Sequence, residues 1–296
     1  MQSRADIHIH TKYSGLGRLG FLRFPESVAD PCDVVKKAHS LGLKVICITD
    51  HNTIAGALKV EDCTKSYPDV EVVVGEEITT AEGEILGLFL TEEIPPGLPA
   101  QETIERIRSQ GGIVVAPHPF SLHCPSLGEA IDRLDIDAIE TINAGHIDGY
   151  ANKKAQERRN PGIWANVGGS DSHSLNTIAY AYTLFEGETA EDLRRAILSK
   201  STKASGNRMP LEKAIAWSVG VVLASDLLIL KSIFGLIREV DMHDPIMSKI
   251  SVMGTGKKVI AFLGSIVYLT PPVPYLCGIT SQRFLRRLAR LQESLD

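Results

Sequence analysis

The stretch GGSDSH at residues 168–173 ends an apolar run with an acid and an imidazole two residues apart. The stretch ADIHIH at residues 5–10 ends in a similar way, because its two histidines alternate with two isoleucines. Such alternation predicts β-strands, in which every second side chain points to the same face, about 6.5–7 Å further along. His8 and His10 should therefore point the same way. Asp171 and His173 should do so too if their strand continues through Ser172.

Between these stretches, short apolar runs alternate with helix-like segments. The runs predict seven strands, at residues 6–10, 45–49, 70–75, 85–90, 113–116, 138–141 and 163–167. The segments predict helices at residues 33–41, 54–65, 102–110, 127–134, 149–158 and 190–199. Because the strands are mostly uninterrupted apolar runs, they favour an α/β fold with a parallel sheet, and their number favours a closed or nearly closed barrel.

The composition of the 296 residues is that of a globular protein, with 44% hydrophobic and 23% charged residues. The formal charge of −5 gives no reason to expect stable binding to duplex nucleic acid. The five cysteines have no CxxC spacing, so reduced cysteines of an intracellular protein are expected rather than a disulfide framework. The first residues lack the apolar segment of a signal peptide, and a cytoplasmic location is expected.

Metal-competent side chains stand at the end of nearly every predicted strand. They are His8 and His10, Asp50 and His51, Glu76 and Glu77, His118, Glu140 and Asn143, and Asp171 and His173. In a parallel barrel all of these ends lie on one face. Imidazole mixed with carboxylate suits Zn, Mn or Fe better than Mg or Ca, so the ordered set predicts a metal cluster. The remaining histidines, at positions 39, 123, 146 and 243, are interpreted as structural or surface residues.

Six motifs, taken in order, resemble the polymerase and histidinol phosphatase (PHP) domain family. They are DIHIHTKYS, ITDHNT, VGEEIT, EILGLF, VAPHPF and GGSDSH. The resemblance covers residues from about 5 to about 205 and implies a distorted seven-stranded (β/α) barrel. It also implies two or three divalent ions of Mn, Zn or Fe and the hydrolysis of phosphoesters.

The resemblance further implies a role for each motif residue. His8, His10, Glu77 and Asp171 correspond to ligands of a first metal. Glu77 would also bind a second metal, together with His118 and with Glu84, which stands where many members have histidine. His51 and His173 correspond to ligands of a third metal, although Gly15 stands where many members have an acid or histidine. Glu77 is preferred to Glu76 because the family pattern is Gly-x-Glu.

The chemistry implied is attack on phosphorus by a metal-activated hydroxide. We assign catalytic roles to Glu77, Asp171 and Arg18. The glycine-rich loop at residues 12–24 follows the first strand and offers Lys12, Arg18 and Arg23 to the substrate phosphate, since arginine in particular suits phosphate oxygens.

Three functional hypotheses follow. The first is a phosphoesterase acting on a small phosphorylated metabolite or nucleotide, such as a nucleoside bisphosphate. The second is a 5′–3′ exonuclease acting on short oligonucleotides. The third is a non-catalytic metal-binding module tethered by the C-terminal region, which the departures at Gly15 and Glu84 keep open.

The chain changes character near residue 206, so we predict a barrel domain at 1–206 and an apolar helical tail at 207–296. Residues 214–230 are apolar except for Asp226, and residues 259–279 carry no charge but include Pro271, Pro272 and Pro274. Arginines 283, 286, 287 and 290 follow. Two interpretations remain: an anchor on the cytoplasmic face of a membrane, favoured by the positive-inside bias, or a soluble element for homo-oligomerisation.

Overall fold

The computed structural model describes residues 1–19 and 22–294 and has a mixed α/β fold with a nearly closed, barrel-like sheet. The strands are β1 (Gln2–Ile9), β2 (Leu16–Leu19), β3 (Leu22–Pro25), β4 (Val45–Ile48), β5 (Glu71–Thr79), β6 (Glu84–Leu88), β7 (Ile113–Ala116), β8 (Ala138–Asn143), β9 (Ala165–Gly169), β10 (Ala181–Glu186) and β11 (Lys203–Gly206). Nine of them form one sheet in the order β11-β10-β1-β4-β5-β6-β7-β8-β9, and β2 and β3 form a separate hairpin. The predicted fold class is thus confirmed.

The sheet closes where the end of β9 meets β1. Ile9 and Ser172 form an isolated parallel bridge, and the His10 N–H donates to the Ser172 carbonyl at 2.9 Å. Strands β10 and β11, which the sequence did not predict, extend the sheet beyond β1: β10 pairs antiparallel with β1, and β11 pairs antiparallel with β10. The two stretches that carry the histidine pattern therefore lie side by side.

Strand β6 departs from the predicted parallel order. It pairs antiparallel with both β5 and β7, whereas β1, β4 and β5 are parallel, as are β7, β8 and β9. Only four residues connect Thr79 to Glu84, too few for a parallel crossover, so a hairpin is the one available connection. Because β6 runs in the opposite direction, its first residue, Glu84, lies at the face where the parallel strands end.

Helices cover the sheet between the strands. They are α1 (Pro31–Ser40), α2 (Ala55–Leu58), α3 (Glu61–Thr64), α4 (Ala100–Ser109), α5 (Tyr150–Arg158) and α6 (Ala190–Leu198). The single helix predicted at residues 54–65 is two short helices, and the one predicted at 127–134 is a 3-10 helix at Gly128–Arg133. Thr189 caps α6 as expected, since its side chain accepts from the Asp192 N–H.

Two cysteines differ from the expectation of reduced thiols. Cys32 in α1 and Cys63 in α3 form a disulfide, with their Cα atoms 5.6 Å apart. The pairing follows from the packing of α1 against α3, which sequence spacing alone does not reveal. Cys47, Cys124 and Cys277 are free.

The tail consists of four helices: α7 (Leu211–Ile233), α8 (Pro245–Ser251), α9 (Thr255–Leu269) and α10 (Val273–Glu293). The second apolar segment is divided between α9 and α10 at the prolines, as proline geometry requires. Helix α7 is the one described helix that is by itself long and apolar enough to cross a membrane. Helices α8 and α9 meet the same criterion together but are bent by 120° at the break between them. Helix α7 also contacts the barrel, where Trp217 Nε1 donates to the Glu26 carbonyl at 3.1 Å.

Candidate metal centre

Glu77 lies at the centre of a ring of imidazoles. Its Oε2 is 3.3 Å from both His8 Nε2 and His10 Nε2 and 3.1 Å from His51 Nδ1. Its Oε1 is 3.1 Å from His118 Nε2. Each of its two oxygens thus faces a different set of nitrogens, which is the arrangement of a carboxylate that bridges two ions.

Glu76 points elsewhere, because neighbouring residues of a strand face opposite sides. Its Oε2 accepts a hydrogen bond from the Ile94 N–H at 2.9 Å. The geometry therefore separates the two glutamates of the VGEEIT motif in the way the sequence interpretation did.

The inner nitrogens fit metal binding. His8 and His10 are fully buried, and the Nε2 atom of each faces carboxylate oxygens at 3.3–3.6 Å without forming a hydrogen bond among the described residues. A buried polar atom without a partner is costly in a folded protein. Divalent ions would supply these missing contacts, and the donor set of imidazole and carboxylate suits them.

A second layer of hydrogen bonds fixes the ring orientations. His8 Nδ1 is 3.3 Å from Glu140 Oε1, and His10 Nδ1 is 3.0 Å from Ser14 Oγ. Ser14 in turn donates to Asp50 Oδ1 at 2.7 Å. Each Nδ1 is thereby occupied, so the Nε2 atoms face the centre. Such outer partners tune ligand geometry and basicity.

Asp171 completes the inner centre from the end of β9. Its Oδ1 is 3.3 Å from His10 Nε2 and 3.6 Å from His8 Nε2, while Asn143 donates to its Oδ2 at 3.2 Å. Strand β9 ends at Gly169, and Asp171 has a φ of 50°, so the condition under which Asp171 and His173 would share a strand face, a strand continuing through Ser172, is not met. His118 also has a positive φ, of 26°. Unfavourable backbone of this kind is concentrated at functional sites.

Glycine at position 169 permits this close packing. A Cβ there would lie 2.4 Å from Glu140 Oε1 and 2.6 Å from the Cβ of His8. The second glycine of the GGSDSH motif is therefore required by the close approach of β9 to β1.

His51 and His173 form the outer part of the site with a partner that the sequence interpretation missed. Ring centroids of His10 are 4.6 Å from His51 and 4.1 Å from His173, and one ligand atom from each of the three lies within 4.8 Å of the others. Glu26, just after β3, places Oε2 3.2 Å from His51 Nε2. It supplies a carboxylate where Gly15 offers none.

Glu84 occupies the remaining side. Its Oε2 is 3.8 Å from His118 Nε2 and its Oε1 is 3.9 Å from His51 Nδ1. Burial and then the negative charge of Glu77 raise the pKa of Glu84 to about 8. A divalent cation beside it would favour the ionised form, so the geometry fits Glu84 as a ligand shared with His118.

The inner and outer imidazoles differ in protonation. Burial lowers the pKa of His10, but the adjacent carboxylates of Asp171 and Glu77 outweigh it and raise the pKa to about 10. Burial and the nearby His10 charge lower the pKa of His173 to about 3, and burial lowers that of His51 to about 4. The outer pair is thus neutral at physiological pH, the form that binds metal.

The predicted phosphate loop is only partly accounted for. Lys12 was predicted to bind the substrate phosphate. Its Nζ instead forms ion pairs with Asp30 at 2.9 Å and with Asp244 at 3.0 Å. The backbones of Arg18 and Arg23 pair in the β2–β3 hairpin, but their side chains lie outside the described part of the structure. The roles assigned to these arginines stay predictions.

The remaining functional candidates come from outside the six motifs. Trp217 of α7 packs beside His173, with ring centroids 5.4 Å apart and ring planes tilted by 50°. Lys249 of α8, which is exposed, has its Nζ 3.3 Å from where a Cβ on Gly15 would lie. No local sequence signal marks these residues, since they reach the site only through the packing of the tail.

Comparison with known proteins identifies the family. The PHP domain model matches residues 6–95, and a PHP-associated model matches residues 149–202. The uncharacterized protein MJ1587 of Methanocaldococcus jannaschii is 52% identical over 152 residues, which are 51% of this chain and 88% of that protein. The chain belongs to the PHP domain family.

Two further proteins show a lower similarity to this chain. A two-domain protein from Bacteroides vulgatus, containing a predicted PHP-like metal-dependent phosphoesterase, has a TM-score of 0.50 at 18% identity over 70% of this chain and 65% of its own. That likeness concerns the fold. A 5′–3′ exoribonuclease of Haemophilus influenzae is 30% identical over 80 residues, 27% of this chain and 25% of the enzyme.

Membership of the PHP family makes the protein a hydrolase that acts on phosphoester bonds and implies divalent metals. It favours the enzyme hypotheses over the non-catalytic module. The substrate and the identity of the metals have to be argued from the site itself.

Proposed function

We propose that this protein hydrolyses the phosphoester of a small phosphorylated metabolite or nucleotide, such as a nucleoside bisphosphate. The observation that carries the proposal is Glu77, whose two oxygens face separate sets of histidines at 3.1–3.3 Å. A pair of ions bridged by one carboxylate suits an in-line displacement at phosphorus.

The site residues fall into three proposed roles. His8, His10 and Asp171 would hold the first ion, His118 and Glu84 the second, and His51, His173 and Glu26 a third. Glu77 would be shared. Ions bound there would lower the pKa of water and offset negative charge on the phosphoryl oxygens. Mn, Zn and Fe all suit this donor set.

The chain itself contributes orientation and access. Glu140 and Ser14 hold the inner imidazoles in place, so little rearrangement is needed when ligands bind. The positive charge of Lys249 lies at the outer edge, beside Gly15, where we propose that it contacts the phosphate. Trp217 lies beside His173 at the outer edge and would restrict access there, which favours a small substrate over a long oligonucleotide.

The alternative is a 5′–3′ exonuclease on short oligonucleotides. It is supported by the similarity over 80 residues to the Haemophilus influenzae exoribonuclease. The substrate preference distinguishes the two hypotheses, because an exonuclease should prefer oligonucleotides to their component mononucleotides.

The test is a screen of metal-stripped, full-length protein reloaded with Mn²⁺. We expect turnover of nucleotides, nucleoside bisphosphates or p-nitrophenyl phosphate that disappears on chelation. Faster release of mononucleotides from 5′-phosphorylated oligonucleotides would favour the exonuclease. If no phosphoester were hydrolysed with Mn²⁺, Zn²⁺ or Fe²⁺, the proposal would be wrong.

We further propose that the tail attaches to the cytoplasmic face of an anionic membrane. It exposes large apolar side chains, among them Phe234, Leu236, Ile260 and Val267, at 64–72% of their surface. The exposed arginines of α10 would meet anionic head groups. Monomers of this protein would otherwise carry an unusually apolar surface.

Flotation with vesicles tests this attachment. Full-length protein should float with anionic vesicles and less so with zwitterionic ones or at high salt, and R283Q/R287Q should weaken binding roughly tenfold or more. Defined oligomers that ignore vesicles would instead support the oligomerisation element. Monomers that ignore vesicles would contradict both hypotheses.

A further inference from the structure

A second group of metal-competent side chains lies beside the Glu77 centre. His123 and Cys124 follow β7, and His146 follows β8. Because β7 and β8 are adjacent parallel strands, the segments after them meet at the same face. One ligand atom from each of the three residues lies within 4.8 Å of the other two, and the rings of His123 and His146 are 4.6 Å apart.

His146 is the strongest indication that a ligand belongs here. It is fully buried, and neither of its ring nitrogens has a hydrogen-bond partner in the described parts of the chain. A neutral imidazole always carries one donor and one acceptor, and burying both without partners is strongly disfavoured. The proposed roles of the Glu77 centre leave this residue unused.

The backbone holds the other two residues towards His146. Ser121 Oγ accepts from the Cys124 N–H at 2.9 Å and from the His123 N–H at 3.2 Å. Ser126 Oγ then donates to the Ser121 carbonyl at 3.2 Å. The turn therefore presents an imidazole and a thiol side by side.

The donor set differs in kind from the one around Glu77. Zn²⁺ binds thiolate and imidazole at about 2.0–2.3 Å in tetrahedral geometry, so its ligand atoms lie about 3.3–3.8 Å from one another. Thiolate also selects Zn²⁺ over the harder ions that carboxylates accept. A modest closure of the observed atoms would reach this geometry.

We propose that His123, Cys124 and His146 form a separate Zn²⁺ site, with a fourth position open to water or to an oxygen of the substrate. The site lies next to the second metal position of the Glu77 centre, because the His118 and His146 rings are 5.0 Å apart. One ligand atom of His146 also lies within 4.8 Å of ligand atoms of His118 and Asp171. The assignment of His146 to the new site is therefore tested directly.

Cobalt substitution in full-length protein provides that test. Co²⁺ added to metal-stripped protein should give a near-ultraviolet thiolate-to-metal charge-transfer band. The band should vanish in Cys124→Ser and persist in Cys277→Ser, which removes an exposed thiol from α10. His146→Gln should weaken Co²⁺ binding at this band by more than the roughly 10–100-fold that loss of an outer partner costs.

The Glu77→Gln variant separates this site from the Glu77 centre. We expect the charge-transfer band to survive in Glu77→Gln even where phosphoester hydrolysis is lost, so failure of either proposal is distinguishable. Disappearance of the band in Glu77→Gln would show that Cys124 depends on the main centre and would overturn a separate site.

A measurement without substitutions guards against variants that fail to fold. Zn²⁺ should protect Cys124 of the native chain from alkylation, while Cys277 in the same molecules stays reactive. Equal alkylation of Cys124 with and without saturating Zn²⁺, or a cobalt band that persists in Cys124→Ser, would overturn the proposal.

Discussion

The inner and outer halves of the metal centre are assembled in different ways. The inner half, His8, His10 and His118 around Glu77, is at most 2% exposed and is built from strands of one sheet. The outer half, His51, His173 and Glu26, has side chains that are 17–26% exposed and depends on the β2–β3 hairpin and on the tail. The inner half is therefore fixed by the barrel sheet, whereas the outer half depends on elements outside that sheet.

The two halves differ in charge as well as in construction. Carboxylates raise the pKa values of His10 and His118 to about 10 and about 9 despite burial, whereas burial leaves His51 and His173 neutral. Without metal, the inner half is a network of ion pairs, and the outer half is a set of unprotonated ligands. The inner histidines must lose protons before they bind metal, but the buried carboxylates of Glu77 and Asp171 lie 3.3–3.6 Å from them and would attract a divalent ion. We therefore expect these carboxylates to make metal binding tighter inside than outside.

The largest effect should come from the shared carboxylate. Glu77→Gln removes the bridging charge and should lower kcat by at least about a thousandfold, with metal content falling in both halves. Glu76→Gln is the matched control, because that side chain bonds to the Ile94 N–H instead. Metal analysis and steady-state kinetics measure the effect. Similar activity in the two variants would contradict the assignment of Glu77.

The next effect should be confined to the inner half. Glu140 accepts from the His118 N–H at 3.0 Å and meets His8 Nδ1, so Glu140→Gln should disturb the orientation of both residues. We expect the affinity of the inner metals to fall about 10–100-fold, with the outer site unchanged. Competitive titration with a chromogenic chelator resolves the classes of site. Weakening of the outer site alone would argue against a positioning role.

Removing the carboxylate of Glu26 should weaken metal binding in the outer half. Glu26→Gln removes the carboxylate that lies 3.2 Å from His51 and that we propose as a ligand, and it should weaken only the loosest metal, by about tenfold. Glu92→Gln is a control at an exposed acid on the barrel. Isothermal titration should show two unchanged sites and one weaker site. Three equally tight sites in the native protein would contradict the division into halves.

The smallest effect concerns pH. Glu84 has a folded pKa of about 8 against an ordinary 4.5, and His118 has about 9 against 6.5. The folded metal-free protein therefore binds more protons than the unfolded chain between pH 6.5 and pH 9, so its stability should fall as pH rises through that window. His51 and His173 act below pH 6.5 and do not oppose this change.

Thermal unfolding in a chelator measures this pH dependence. We expect Tm to fall by a few degrees between pH 6.5 and pH 9 in metal-free protein. Addition of Mn²⁺ should reduce the slope, because bound cations hold the carboxylates ionised at both pH values. A Tm that rises with pH in the chelator would show that the ion pairs of the inner half are not formed without metal.

Much of the site was predictable because its residues follow local patterns. The period-two alternation places His8 and His10 on one face, and apolar runs ending in polar residues predict where strands end. The antiparallel turn of β6 was not predicted, although the short 80–83 connection contains the necessary signal. Whether the strand continues through Ser172 was left open by the sequence, and it does not, because Asp171 adopts a positive φ, which a hydrophobic pattern does not reveal.

The sequence by itself determined the inner half: the ordered motifs, the α/β class and the bridging role predicted for Glu77 all rest on residues close to strand ends. Only the tertiary structure decided the outer half and the new cluster. Glu26 meets His51 across 25 positions of chain, and Trp217 reaches Glu26 across 191. His146 joins Cys124 only because β7 and β8 are neighbours. Contacts of that kind depend on how whole helices and strands pack against one another, and a local pattern of residues does not predict that packing.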